Sequence, residues 1–275
     1  MNVLSLFDGM SCGQIALDKI GIKVENYYAS EIKKHAIQVT QKNYPSTIQV
    51  GDVTKLKGSD LPKIDLFIGG SPCQDFSRAN KTKKGLDGDK SGLFWEYVRL
   101  LKETKPTYFL LENVKMKKEW QDIISEELGV KPVRINSSLV SGMLRDRFYW
   151  TNIPMSQIKP IDINFNGYLY RLGHGYVKDE IKFFQKYPAL TAQSPASKYR
   201  IVTDLKHSIM ALATGDLLSI RRGQKLTRSA SPEECEEFQT LPIGYTNCLS
   251  KSERFKCIGN GWTVDIVAHI FKGLL

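Results

Sequence analysis

The first 150 residues repeat one pattern: a short apolar run, a turn of small residues, then a longer amphipathic stretch. That alternation predicts a parallel α/β sheet covered by helices. Val3-Leu4-Ser5-Leu6-Phe7 reads as a buried strand, followed by a Gly/Ser turn and a helix through Gln14 to Ile20 that stops at Gly21. Tyr27 to Ser30 is a second strand, with its helix from Ile32 to Lys42. Ile64 to Ile68 is another, ended by Gly69-Gly70. Leu93 to Thr104 has helical periodicity, Tyr108 to Leu111 is again strand-like, and Phe148 to Thr151 closes the series.

From about Pro154 to Thr227 this rhythm is lost, and tyrosines mix with glycine, lysine and arginine. The segment predicts a smaller lobe with little regular helix. Ser231-Pro232-Glu233-Glu234 then gives a strong helix start: a serine N-cap, proline in the first turn and acids behind it. A last helix is expected from Thr263 to Lys272. The chain thus divides into a first domain over 1–153, a lobe over 154–227 and a segment over 228–275 that returns to the first domain.

A chain of 275 residues can bury one large core plus such a lobe. Its net charge of +10 suggests a polyanionic partner, nucleic acid foremost, with a solvated basic surface as the alternative. No stretch approaches the roughly 18 consecutive apolar residues of a membrane span. The N-terminus lacks the basic flank and cleavage site of a secretory signal, so an intracellular protein is expected. The cysteines at 12, 73, 235, 248 and 257 are odd in number and irregularly spaced, which argues against a disulfide framework. The histidines at 35, 174, 207 and 269 form no ligand pair, and no metal is expected.

Three features carry chemistry. The turn Phe7-Asp8-Gly9-Met10-Ser11-Cys12 lies between a strand and a helix, where glycine admits a ligand close to the backbone and free N–H groups point outward. Glu31, with Ile32 after it, follows the second strand, and Asp52-Val53 follows the third. Acids in those places suit the ribose hydroxyls and the exocyclic amine of an adenosine-bearing cofactor. Gly69-Gly70-Ser71-Pro72-Cys73-Gln74-Asp75-Phe76-Ser77 puts a cysteine just beyond a buried strand, at the edge where open α/β folds bind ligands. A thiol there is a candidate nucleophile. The basic, small-residue run from Arg78 to Gly85 suits a loop that closes on DNA.

Ser71-Pro72-Cys73-Gln74 followed by Glu112-Asn113-Val114 resembles the DNA cytosine-5 methyltransferase family. Arg145-Asp146-Arg147, the segment from Arg228 to Pro242, and Gly259-Asn260-Gly261-Trp262-Thr263-Val264 match further family motifs in the same order. The resemblance covers most of the chain outside 154–227. It implies an S-adenosylmethionine-dependent methyltransferase fold, a doubly wound Rossmann-like α/β sheet with a small DNA-recognition lobe. It implies methyl transfer to carbon 5 of a cytosine flipped out of double-stranded DNA, leaving S-adenosylhomocysteine.

By that resemblance Cys73 attacks the base, Glu112 engages ring nitrogen 3, and Arg145 and Arg147 support the activated ring. The cofactor would lie against Phe7, Asp8, Gly9, Met10, Ser11, Cys12, Glu31, Ile32, Asp52, Val53, Gly70, Pro72, Leu93, Asn260, Gly261 and Trp262. DNA would be met by Ser77, Arg78 and Asn80 in the loop, and by Lys198, Arg200, Arg221, Arg222 and Lys225 in the lobe. Two positions depart from the pattern: Met143 stands where relatives often have glutamine, and Met-Ser-Cys replaces further glycines in the first turn.

The style is closest to the catalytic domain of the de novo DNA methyltransferases, in a bacterial or phage setting such as restriction-modification, which places the protein in the bacterial cytoplasm. A homodimer extending the DNA contact is the arrangement that short-lobed relatives suggest. The alternatives are a tRNA cytosine-5 methyltransferase, where Pro-Pro-Cys is usual in place of Ser71-Pro72-Cys73, and an inactive DNA-binding homologue.

Overall fold

A computed structural model describes residues 1–72, 92–160 and 230–275, together with the main chain of five strands between them. It separates into two compact units: Met1–Ser137 with Asp146–Lys159 and Gly261–Leu275, and Ser138–Arg145 with Pro160–Asn260.

The first unit is built on a seven-stranded sheet. In chain order its strands are β1 (Asn2–Leu6), β2 (Asn26–Ser30), β3 (Ile48–Gln49), β4 (Leu66–Gly69), β5 (Tyr108–Val114), β6 (Val133–Asn136) and β8 (Asp146–Thr151). Their order across the sheet is β3-β2-β1-β4-β5-β8-β6. β1 and β4 are buried along nearly their whole length, as strands covered on both faces must be. The first five strands run parallel, but β8 is antiparallel to both β5 and β6. β6 thus runs with the first five, and the expectation of a parallel sheet holds for six strands and is corrected for β8. β6 connects to β8 through a short excursion into the other unit rather than a crossover helix, and so returns in the opposite direction.

The helices are α1 (Cys12–Lys19), α2 (Lys34–Asn43), α3 (Leu93–Thr104) and α4 (Lys118–Leu128). Gly21 (φ 74°) and Gly129 (φ 68°) supply the left-handed residue just past the ends of α1 and α4. Phe67, Phe94, Tyr97, Leu100, Leu111, Ile124 and Trp150 form the centre of the main core.

The second unit contains β7 (Met143–Leu144) paired with β11 (Tyr187–Pro188), and a four-stranded sheet. That sheet orders β9 (Tyr168–Arg171), β10 (Glu180–Phe183), β12 (Tyr199–Val202) and β13 (Thr227–Ser229) as β10-β9-β12-β13. It also holds α5 (Pro232–Phe238) and α6 (Lys251–Asn260). α5 opens as its sequence predicts. Ser231 Oγ accepts from Glu234 N at 3.2 Å, and the Glu234 carboxylate accepts from Ser231 N at 2.7 Å. The buried Glu236 carboxylate accepts from the amides of Gly244 and Thr246 and from Arg254, which binds α6 to the loop after α5. The chain re-enters the first unit at Gly261 and ends with α7 (Val264–Phe271), which packs on α1.

Candidate active site

The strand order reverses at β1, which lies between β2 and β4. Ligands of open α/β sheets bind beyond the C-terminal ends of the strands at such a reversal. In register, Leu6 faces Ser30 on one side and Gly69 on the other, and Gly69 faces Leu111. The turns at Phe7, Glu31 and Gly70 and the side chain of Glu112 therefore gather on one edge.

The first turn is strained. Phe7 (φ 55°) and Ser11 (φ 59°) are left-handed without being glycine, each at a cost of about 1 kcal/mol. A set of bonds holds them. Asp8 N donates to Ser30 O at 3.1 Å, Ser11 N to Asp8 O at 3.2 Å, and Gly9 N to Glu31 Oε2 at 2.9 Å. The Asp8 carboxylate accepts from Tyr27 OH at 2.9 Å and from Ser11 Oγ. Burial raises the Asp8 carboxyl above its usual range, although these hydroxyls pull it back. Met10, Ser11 and Cys12 are buried, so their main chain shapes the turn.

Glu31 does more than face outward. Besides Gly9 N, its carboxylate accepts from the amides of Ile32 and Lys33, both at 2.9 Å. Three of about four acceptor positions are thus filled by backbone, leaving room for a further donor. Ile32 beside it is 69% exposed, an apolar surface at the lip of the edge. Asp52 accepts from Thr54 N at 3.0 Å and Thr54 Oγ1 at 2.9 Å, and that amide holds its carboxyl below the usual range.

Across the edge, Trp262 stands over the glycines. A Cβ on Gly70 would lie 3.1 Å from Trp262 Nε1 and 3.2 Å from Glu112 Oε2, and one on Gly13 would meet Ile68 and Tyr27. A side chain at either position would crowd these neighbours and require them to shift. Glu112 Oε1 pairs with Arg147 Nε at 2.9 Å, both side chains largely withdrawn from solvent. On the opposite face of β5 the buried Asn113 donates to Ser71 Oγ at 3.0 Å and accepts from Val114 N at 2.8 Å. Asn113 thereby anchors the main chain two residues before Cys73.

The structure brings together Phe7, Asp8, Gly9, Glu31, Gly70, Glu112, Arg147 and Trp262, the last beside Gly261. Pro72 ends the described part of its loop, and Leu93 packs on the main core at the start of α3. Arg145 lies apart from Arg147 in the division of units: it is buried in the second, where its Nη1 donates to Gly259 O at 3.2 Å. Asn260 is the exposed last residue of α6. Cys73, Ser77, Arg78, Asn80, Lys198, Arg221, Arg222 and Lys225 lie outside the described residues, and of Arg200 only the main chain is described. Of the other cysteines, Cys12, Cys235 and Cys257 are buried, and burial pushes the Cys235 thiol up to about 12.

Sequence reasoning passed over Tyr27 and Thr40, which carries the hydroxyl 3.2 Å from Ser11 Oγ. A polar residue pointing inward from β2 or α2 beneath an acidic turn was the available signal. Among the described residues no group of three His, Cys, Asp or Glu could hold a metal, and no helix is long and apolar enough to cross a membrane.

Residues 1–126 match the family model described as C-5 cytosine-specific DNA methylase. The chain is 33% identical over 215 residues to the orphan methyltransferase M.SPRI of Bacillus phage SPR, covering 72% of this chain and 48% of that protein. It is 39% identical over 115 residues to the type II methyltransferase M.NgoBV of Neisseria gonorrhoeae, 40% of this chain and 27% of the relative. The chain thus spans about half the length, or less, of these curated relatives. Among solved structures, a Spodoptera frugiperda DNMT2 mutant superposes with a TM-score of 0.72 at 17% identity, over 99% of both chains. A putative DNA modification methyltransferase encoded within an E. coli prophage gives 0.65 at 21% identity, over 100% of this chain and 98% of that one. These likenesses establish the methyltransferase fold. Residues 1–126 are similar to the C-5 cytosine-specific DNA methylase family.

Proposed function

We propose that the protein methylates carbon 5 of cytosine in double-stranded DNA, with Cys73 as nucleophile and S-adenosylmethionine as methyl donor. The observation that carries this reading is the Glu112–Arg147 pair beside Gly70, three residues before Cys73 and on the same edge as the acidic turns.

The residues present fit the cofactor. The Gly70 cradle lies close under Trp262 and Glu112, Glu31 keeps room for one more donor, Asp52 is held ready as an acceptor, and Ile32 offers an apolar face. Phe7 to Cys12, Glu31, Ile32, Asp52, Val53, Gly70, Pro72, Leu93 and Asn260 to Trp262 would hold it. S-adenosylmethionine, when bound, supplies an electrophilic methyl group on a sulfonium.

The Cys73 thiolate adds to carbon 6 of the cytosine, forming an S–C bond and moving electron density to carbon 5. Glu112 engages ring nitrogen 3 through a hydrogen bond, and Arg147 sets the place of its carboxyl. Once carbon 5 is methylated, loss of its proton and elimination of the Cys73 thiolate restore the ring. Because the thiol must approach above the ring plane, the base leaves the duplex stack. Arg145, Ser77, Arg78, Asn80 and the basic residues of the 154–227 lobe are assigned to supporting and gripping the DNA, with a second subunit as an extension of that surface. The working place of such an enzyme is the bacterial cytoplasm or the phage-infected cell.

Bisulfite sequencing of duplex DNA incubated with the protein and S-adenosylmethionine tests this. Protected cytosines at a recurring sequence support it. Methylation of tRNA with no protected DNA would replace it with the RNA reading, and binding without methylation would replace it with an inactive homologue.

A further inference from the structure

The segment that carries Asp52 leaves the sheet early. After β3 it is tied to β2 by Val50 N to Ala29 O at 2.9 Å and by Ser30 Oγ to Gly51 O at 2.7 Å, and turns at Gly51 (φ 75°). Asp52 closes its own turn through Thr54 and through Lys55 N to Asp52 O at 3.0 Å. Beyond that, one guanidinium takes the carbonyls of both Val53 and Leu56. Arg99 Nη2, from α3, donates to Val53 O at 3.2 Å and to Leu56 O at 2.9 Å.

The guanidinium is itself fixed. Arg99 Nε reaches Glu96 at 2.9 Å and Nη1 reaches Glu103 at 2.9 Å. Glu96, Arg99 and Glu103 share one face of α3, spaced three and four residues apart. Glu103 in turn accepts from Gly58 N at 2.6 Å. That amide, followed by Arg99, holds its carboxyl below the usual range. A Cβ on Gly58 would lie 2.6 Å from Glu103 Cβ, so the segment runs hard against the helix. The bland account is an ion triad on a helix surface, worth about 0–1 kcal/mol. It leaves the two carbonyl bonds unexplained, since ion pairing alone calls for no backbone partner 43 or 46 residues away.

We propose that Arg99 is a positioning residue for the cofactor site: it fixes the backbone that carries Asp52 to α3, whose first residue is Leu93, and so sets affinity for S-adenosylmethionine. The inference rests on the cofactor reading above. The planar fork is required, because a lysine ammonium cannot reach both carbonyls while paired to two acids.

The test uses the full chain, with Arg99→Met and Arg99→Lys. Calorimetry with S-adenosylhomocysteine is run beside steady-state kinetics and ligand-free thermal unfolding. Arg99→Met should weaken S-adenosylhomocysteine binding and raise KM for S-adenosylmethionine by roughly tenfold, the scale of hydrogen bonds to a charged group. KM for DNA and kcat at saturating cofactor should move little, and Arg99→Lys should recover only a small part of the loss. If Arg99→Met does not fold, Arg99→Lys decides the matter by the same readings. Wild-type affinity in a folded variant, with a lower melting temperature only, would overturn the proposal and leave the function standing. Failure of the wild-type protein to bind S-adenosylhomocysteine would overturn both.

Discussion

Arg147 Nε lies 2.9 Å from Glu112 Oε1, across the antiparallel pair formed by β5 and β8. In register Glu112 faces Tyr149, and Arg147 stands two residues before it on the same face, the diagonal neighbour that a long side chain can reach. A carboxyl and a cation are thus set by sheet geometry rather than by a loop, which favours precise placement of the group assigned to ring nitrogen 3.

This pair yields the first prediction. Glu112→Gln should lower kcat by about 10²–10⁴, the usual contribution of a positioned proton donor, while leaving S-adenosylhomocysteine affinity near wild type. Arg147→Ala should lower it too, and the double variant should fall short of the sum of the two losses. Transfer of labelled methyl groups to DNA measures all three, and strictly additive losses would contradict a shared role.

Asn113 should matter for both folding and rate. Asn113→Ala strands the buried Ser71 hydroxyl and the Val114 amide, at a cost of about 1–3 kcal/mol in denaturant unfolding. Methylation should fall further than that loss explains, because the chain leading to Cys73 loses its anchor. Unchanged specific activity in the folded variant would show that the anchor serves stability alone.

Asp8 gives a pH dependence. Burial raises its carboxyl, so between the unfolded and folded values the native state binds more protons than the unfolded chain. The stability contributed is full below the unfolded value, near pH 4, and is lost as pH rises through the folded value. Asp8→Asn should therefore gain on the wild type as pH rises from about 4 toward 7. Urea unfolding across that range would reveal it, and a difference that does not change with pH would refute it.

The lobe offers a salt test. Arg222→Ala should weaken DNA binding at all sequences alike and flatten the salt slope by roughly one unit, as loss of one phosphate contact does. An unmoved slope would mean that this charge faces solvent.

Much of this was legible in the sequence, for identifiable reasons. β1 and β4 announce themselves because strands buried on both faces are nearly continuously apolar. The start of α5 was legible because Ser231, Pro232 and Glu234 are all local signals. β5 reads as strand only to Leu111, yet it continues through Glu112 and Asn113. Those polar residues belong in a strand because Arg147 and Ser71 satisfy them, and neither partner is near in sequence. The reversal of β8 was hidden for the same reason, since pairing direction is not a local property. α4 and α6 went unread, charged residues filling much of their surface. Arg99 is not marked out by the sequence, because its carbonyl partners lie 43 and 46 residues away.

The central claim is covalent attack by Cys73, and trapping with 5-fluorocytosine tests it most directly. Fluorine at carbon 5 cannot leave as the proton does, so the adduct persists once the methyl group has been transferred. Duplex DNA carrying 5-fluorocytosine in the methylated sequence should form a stable adduct only with S-adenosylmethionine present, and peptide mapping should place it on Cys73. Cys73→Ala should form none while still binding S-adenosylhomocysteine. An adduct on Cys12, Cys235, Cys248 or Cys257, or one that survives Cys73→Ala, would contradict the account.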